Sequence, residues 1–553
     1  MPETLNPVQT RKQDNQETEY TEDDIKKMHS FYTVKTDSQG NFKGLHIKKA
    51  AIADKIKEFN IYCFVDGVIE VSRYVKIKNN LIKEVNKDDI TVYFLNFILN
   101  LPNYDHFYSY KVKSEVYETS ITITPKMIRD TLFEKLGDYF SKTILNTIRP
   151  NNPIEIKMDS KREKFFYYQN GFVTVTKDGF EFKEYKELKG NIWENQKLKR
   201  DFNYNLEIGT FEKFIYRICG HKEKHFKNLD AKTKKRVQSL KTLIGYALHN
   251  HFNRNLFAII LTDSKVSEDD ELNGRTGKTL LCQSLGWILN YNTSSNVYCE
   301  IAGIDFDPTK DFKYQKASLE TQLIHINDLN RNTKFEVFRS DITEGITCNK
   351  KNEKPFPIRA KMIISSNKTL SINGSTEKAR ARFFELSDWY NENFSPSDEF
   401  NEWLFDEEWP EVQWNCFDSF IVSCCVEYFK HGVIEADKIT LDERMLRDHT
   451  KPQFVDFMND FIKTGKCTYS DMMNSTKEIE FIYDMPIVKA SIYNAFVQCY
   501  PDFRNLKQNT FTKWLREYCA HSDCIQKLSR DAGTEYRSNS QDYVIFKPIN
   551  NDK

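Results

Sequence analysis

The residues with the most capacity for chemistry lie in Asn273-Gly-Arg-Thr-Gly-Lys-Thr-Leu-Leu281. The phosphate-loop pattern G-x-x-x-x-G-K-[ST] asks for glycine at 272, where this chain has Leu272; Gly274, Arg275, Thr276, Gly277, Lys278 and Thr279 keep the rest of it. Small residues there let backbone N–H groups wrap a β-phosphate. Lys278 would reach the β- and γ-oxygens, the Thr279 hydroxyl would ligate Mg²⁺, and the helix that follows would aim its positive end at the anion. The plainer alternative is an ordinary turn before a helix. The apolar strand before the loop and the apolar helix after it favour ATP and Mg²⁺ as ligands.

Further along, Asn327-Asp328 ends the apolar run Gln322–Ile326, about fifty residues after the lysine. A carboxylate at such a strand tip can hold the metal through water or polarise the attacking water, and Asp328 is the acid present; a helix cap or turn is its plainer role. Asn367 ends a third apolar run, Lys361–Ser365, and could orient that water. Arg380 and Arg382 precede another apolar strand. They could place mobile positive charge on the γ-phosphate of a neighbouring subunit, or form a structural ion pair. Lys350, Lys351 and Lys354 lie in Thr347–Pro357 with one acid, Glu353; flexible point charges there suit nucleic-acid phosphates, although a solvated loop reads the same way.

The elements that must position these groups follow from pattern. Leu256–Thr262, Gln322–Ile326 and Lys361–Ser365 are short continuous apolar runs separated by helical patterns, the signature of strands buried on both faces of a parallel sheet. They predict an α/β three-layer core at 257–395. Residues 206–256 read as helical, with Phe211, Phe214, Ile215 and Ile218 on one face and Leu240, Leu243, Ile244, Ala247 and Leu248 on another. Between them, 221–241 carries eight Lys/Arg against two acids, either a solvated face or a DNA-contacting one. An acidic stretch at 267–271 lengthens the loop before Gly274. Residues 1–25 read as a disordered tail and 26–205 as an α/β accessory domain, in which Thr91–Leu99 reads as a strand and Phe165–Thr176 as a hairpin through Asn170–Gly171. A helical segment covers 396–450, with one helix stopped by Gly432. The rest, 451–553, reads as a small winged-helix-like domain, with helices at 487–499 and 509–520 and Lys513, Trp514 and Arg516 on its candidate recognition helix.

Composition narrows the function class. The 553 residues carry 80 basic and 80 acidic side chains, so any nucleic-acid surface must be local. At 39% hydrophobic and 14% aromatic, the chain can build several cores, in about three to five domains. It has no run of 18 apolar residues for a membrane span, and its polar N-terminus lacks a signal-peptide core, so the cytoplasm is the expected location. The 12 cysteines form no C-x-x-C pair and read as buried thiols. His249 and His251 have no third ligand near them in sequence and read as structural.

As a set, GRTGKT, IHINDL, DITEGITCNKKNEKPFPIRAKMIISSN and STEKARARFFELSDWYN resemble the motifs of superfamily III helicases, in the phage and plasmid primase–helicase branch that has poxvirus-type relatives. The resemblance covers roughly 206–432. It implies a P-loop AAA+ ATPase that assembles as a ring, usually a hexamer, and moves 3′-to-5′ on single-stranded DNA. It matches Lys278 and Thr279 to Walker A, Asn327 and Asp328 to Walker B, Asn367 to the sensor and Arg380 and Arg382 to the arginine finger. Thr347–Pro357 matches a loop or hairpin that lines the ring channel. Many relatives carry two acids where this chain has Asn327-Asp328. Origin duplex DNA and a separate primase are further expected partners. The alternatives are an ATP-gated initiator or scaffold without unwinding, and a primase–helicase with a diverged N-terminal primase, although 26–205 shows no primase metal motif.

Overall fold

The computed structural model describes residues 21–65, 72–252, 256–264, 275–289, 296–329, 333–352, 354–367, 370, 375–470, 475–521 and 525–548. Gly274, the acidic stretch 267–271 and residues 1–20 of the expected tail lie outside them. Two compact units form: 1–157 with 188–194, and 158–187 with 195–553. The hairpin Lys164–Tyr167 and Phe172–Thr176 therefore belongs to the second unit, on the other side of the expected boundary at 205, and it packs on the helix Glu411–His431.

In the first unit, a helix at Glu22–Met28 opens inside the stretch expected as a tail, started by a reciprocal Thr21–Asp24 cap. A four-stranded sheet runs in the order Ile192–Trp193, Leu81–Glu84, Ser72–Lys78, Ile61–Val65, and a long hairpin pairs Tyr104–Val112 with Glu115–Ile123. Thr91–Leu99, expected as a strand, is part of the helix Lys87–Leu99. The Asn86 side chain caps the backbone N–H of Asp89, and Ile90, Phe94 and Ile98 recur every four residues on the buried face. That stripe and cap outweigh the β-branched Thr91 and Val92, which the core does not need: Val92 is 54% exposed.

The second unit is built on a five-stranded, wholly parallel sheet. In chain order its strands are β1 (Ala258–Asp263), β2 (Tyr298–Ala302), β3 (Leu323–Asn327), β4 (Lys361–Ser365) and β5 (Ala381–Leu386). In space they run β2-β3-β4-β1-β5. Every residue of β1 and β4 is buried, as continuous apolar runs in an interior strand require. The helices Lys278–Ile288 and Ala231–Leu248 pack on β4, and Ala231–Leu248 also packs along Glu411–His431, which ends at Gly432. The basic run on Ala231–Leu248 divides. Lys232, Lys234 and Lys235 are exposed, whereas Arg236 is buried and donates to the carbonyls of Cys219, Glu385 and Asp437. Arg236 is thus structural.

The C-terminal part follows the order helix Pro452–Thr464, strand Pro486–Val488, helix Lys489–Cys499, helix Gln508–His521 and hairpin Glu535–Ser538/Gln541–Ile545. Three of its strands form one sheet with Gln541–Ile545 in the middle, and Lys466–Ser470 pairs separately with Thr476–Glu480. Trp514 packs into this core against Phe454 and Phe503, so it is no surface reader, and Arg516 is paired with Glu535 at 2.7 Å. Lys513, Arg530 and Arg537 are exposed. Among the described residues, no helix is long and apolar enough to cross a membrane.

Candidate functional site

Parallel pairing brings the C-terminal ends of β1, β3 and β4 to one edge of the sheet. Ligands of open α/β sheets bind at such an edge, where the strand order reverses. The chain leaves β1 for the far-edge strand β2, returns through β3 and β4, and then crosses β1 to β5, so the reversal falls at β1 and β4.

The turn at Gly277 delivers Lys278 and Thr279 at the start of an 11-residue helix. Gly277 has φ +103°, a left-handed conformation that side chains resist, and an added Cβ would lie 2.7 Å from the Phe214 ring. Phe214 belongs to the helix Thr210–Ile218, so that helix packs beneath the turn at Gly277. Arg275 also has positive φ, at 75°, and is exposed; Thr276 is buried and Thr279 is exposed.

Lys278 does not point freely into this turn. Its Nζ donates to both carboxylate oxygens of Asp263, at 2.6 and 2.5 Å, and the Thr276 hydroxyl donates to the same carboxylate. Both side chains of the ion pair are buried, 8% and 4% exposed. Asp263 ends β1 and did not stand out in the sequence, where its only signal is an acid closing an apolar run. Arg444, on the helix Leu441–His449, donates to the backbone carbonyls of Asp263 and Asn367, tying the tips of β1 and β4 together. Thr440 adds bonds to the Ser264 carbonyl and to Glu385.

Opposite the lysine, Thr279 Oγ1 donates to Asn327 Oδ1 at 3.4 Å, and Asn367 Nδ2 donates to Asp328 Oδ1 at 3.2 Å. Asp328 is exposed with φ +58°, an uncommon conformation for a residue with a side chain. Gly303 makes room for it: an added Cβ would sit 2.0 Å from the Asp328 carbonyl oxygen. A buried relay supports the pair from below. Tyr298 OH lies 2.8 Å from His325 Nδ1, and His325 Nε2 lies 3.0 Å from Ser365 Oγ. Ser365 Oγ donates to Asn327 Oδ1 and accepts from the Asp328 N–H. Burial pushes His325 down to about 3, so the ring is neutral at ordinary pH.

Thr279, Asn327, Asp328 and the neighbouring Glu300 offer only oxygen donors, the set that a hard divalent ion such as Mg²⁺ prefers. The described residues contain no cluster of three or more His, Cys, Asp or Glu arranged for a metal. His249 Nε2 donates to the Ser160 carbonyl and the ring is pushed down to about 4 by burial, a structural role.

The remaining sequence candidates lie elsewhere. Arg380 and Arg382 sit at the N-terminal end of β5, where the Ala258 N–H bonds to the Arg380 carbonyl, so they are at the opposite end of the sheet from Lys278 of the same chain. Arg382 pairs with Glu435 at 3.3 Å and, with Glu435, His449 and His521, lines a cavity of about 440 Å³. Lys350, Lys351 and Lys354 lie on the turn of an antiparallel hairpin, Ile346–Cys348 with Phe356–Ile358. Lys351 and Lys354 are exposed, and Lys350 is half-buried over the Phe356 ring.

The chain matches no protein-family model and no curated protein. Among the solved structures that resemble it are two apo A-form structures of the C-terminal region of NrS-1. They are 14% and 12% identical, with TM-scores of 0.37 and 0.36; each match covers 90% of this chain and 99% or 98% of the other.

Proposed function

We propose that this chain is an ATP-driven motor of the superfamily III, AAA+ type that moves on single-stranded DNA as a ring, hexameric by resemblance. The observation that carries the reading is the meeting of the Gly277–Thr279 turn with Asn327, Asp328 and Asn367 at the reversal point of the parallel sheet.

In this mechanism Lys278 exchanges Asp263 for the β- and γ-phosphate oxygens, while the N-terminal end of the helix Lys278–Ile288 faces the anion. Thr279 and Asp328 would hold a hydrated Mg²⁺, which would supply neutralising charge to the terminal phosphates. Asp328 also takes the proton of the attacking water, and the Asn367 amide fixes the direction of that carboxylate. Arg380 and Arg382, too far round the sheet to serve their own site, complete the site of the next subunit. The Lys350–Lys354 turn grips the DNA backbone without reading its sequence. The exposed Lys513, Arg530 and Arg537 of the winged-helix-like end offer a duplex-contacting face.

The test is ATP hydrolysis by the full chain with and without single-stranded DNA. Several-fold stimulation is expected, with loss of turnover when Lys278 is replaced. Turnover indifferent to DNA counts against a translocating motor. The neutral Asn327 favours a second reading, an ATP-gated initiator that binds origin duplex without unwinding. ATP binding without turnover, together with sequence-specific duplex binding, would select it.

A further inference from the structure

The site departs from its resemblance at Asn327, where relatives carry a metal-side carboxylate. The structure has a carboxylate beside that position, on a different strand. Glu300 is the third residue of β2, half-buried, and its Oε1 accepts from Asn327 Nδ2 at 2.8 Å. The orientation of the Asn327 amide follows from its surroundings. Its oxygen faces two hydroxyls, Ser365 at 3.1 Å and Thr279 at 3.4 Å, and its NH₂ faces an acceptor-only carboxylate.

This arrangement gives a physical reason for asparagine. An aspartate at 327 would set two carboxylates against each other at hydrogen-bond distance, and like charges so close disfavour joint ionisation. With Asn327 the amide oxygen can turn toward Thr279 while its N–H fixes Glu300, so one negative charge remains beside the position where relatives have one. The buried Tyr298–His325–Ser365 relay holds that amide in place.

The geometry points to Glu300 as the carboxylate that replaces the missing Walker B acid: a positioning residue that, through Asn327, orders the water shell of the metal bound with the nucleotide. This inference rests on the ATP-binding reading above. It assigns the departure at 327 to a relocation of charge between neighbouring strands rather than to a loss of charge.

The experiment measures the affinity of the full chain for a fluorescent ATP analogue, in EDTA and in Mg²⁺, with Mn²⁺ binding followed by electron paramagnetic resonance. Glu300→Gln keeps the acceptor for Asn327 and removes only the charge. It is expected to bind nucleotide in EDTA as the wild type does, and to lose about tenfold of the metal-dependent gain, as outer-shell changes do. The double variant Asn327→Asp/Glu300→Gln, with the charge moved to the relatives' position, is expected to recover that gain. A Glu300→Gln protein that keeps the full gain overturns the inference while leaving ATP binding intact, and so does one that loses affinity equally in EDTA. A wild type with no nucleotide affinity in either buffer overturns the ATP reading and this inference with it.

Discussion

Replacing Lys278 by alanine should do two separate things, because the lysine is half of a buried ion pair. Asp263 is 4% exposed, and its partners are the Lys278 ammonium and the Thr276 hydroxyl. Removing one member of a buried pair strands a charge and costs about 3–5 kcal/mol. The Thr276 hydrogen bond survives, so the lower end, about 3 kcal/mol, is expected. At roughly 2 °C per kcal/mol for a domain of this size, the thermal midpoint should fall by about 6 °C. Neutralising both members at once should be far milder, since a pair replaced by neutral groups of similar size is often near neutral in stability. Lys278→Met/Asp263→Asn should therefore melt close to the wild type while lacking the amine. Thermal unfolding followed by circular dichroism, without nucleotide, reads both numbers. A Lys278→Ala protein that melts with the wild type, or a double variant no better than the single one, refutes the buried-pair argument. The double variant is then the proper knock-out for activity, since its loss of turnover cannot be blamed on unfolding.

Two more outcomes follow from the same structure. Changing Lys350, Lys351 and Lys354 together to alanine should weaken single-stranded DNA binding and lower the salt slope, log Kd against log salt, by about 2, at about 0.7 per phosphate contact for single strands; an unchanged slope would remove the hairpin from the DNA path. His249 and His325 are held at about 4 and about 3 by burial, against 6.5 for a free histidine. Between those values the unfolded chain binds more protons than the folded one, so their contribution is complete above about pH 6.5 and is lost as pH falls towards 4. At pH 5 the loss is on the order of 2 kcal/mol from each. Urea midpoints at pH 7.5 and pH 5 should show it, and His249→Gln should shrink the difference; equal midpoints would contradict the burial argument.

How far the sequence could be read follows the range of the signal. Continuous apolar runs mark β1, β3 and β4 because an interior parallel strand is buried on both faces and needs no alternation. The turn at Gly277–Lys278 is legible because a left-handed glycine before a helix is a local requirement. Thr91–Leu99 misleads because β-branched propensity is weak beside a good cap and a four-residue apolar stripe. Asp263, Glu300 and Arg444 stay hidden for another reason. Each is one charged residue whose partner comes from a strand or helix brought in by the topology, at a separation of 15, 27 and 181 positions for Lys278, Asn327 and Asp263 respectively. Trp514 shows the reverse error: an aromatic beside two basic residues reads as a contact surface until the fold puts it in the core.

A nucleotide-driven motor requires Lys278 to meet a nucleotide. Equilibrium binding of ATP to the full-length wild type and to the folded Lys278→Met/Asp263→Asn variant measures this. Binding by the wild type that weakens at least tenfold in the variant is the predicted result; no binding by the wild type, or equal affinity in the two proteins, would contradict it.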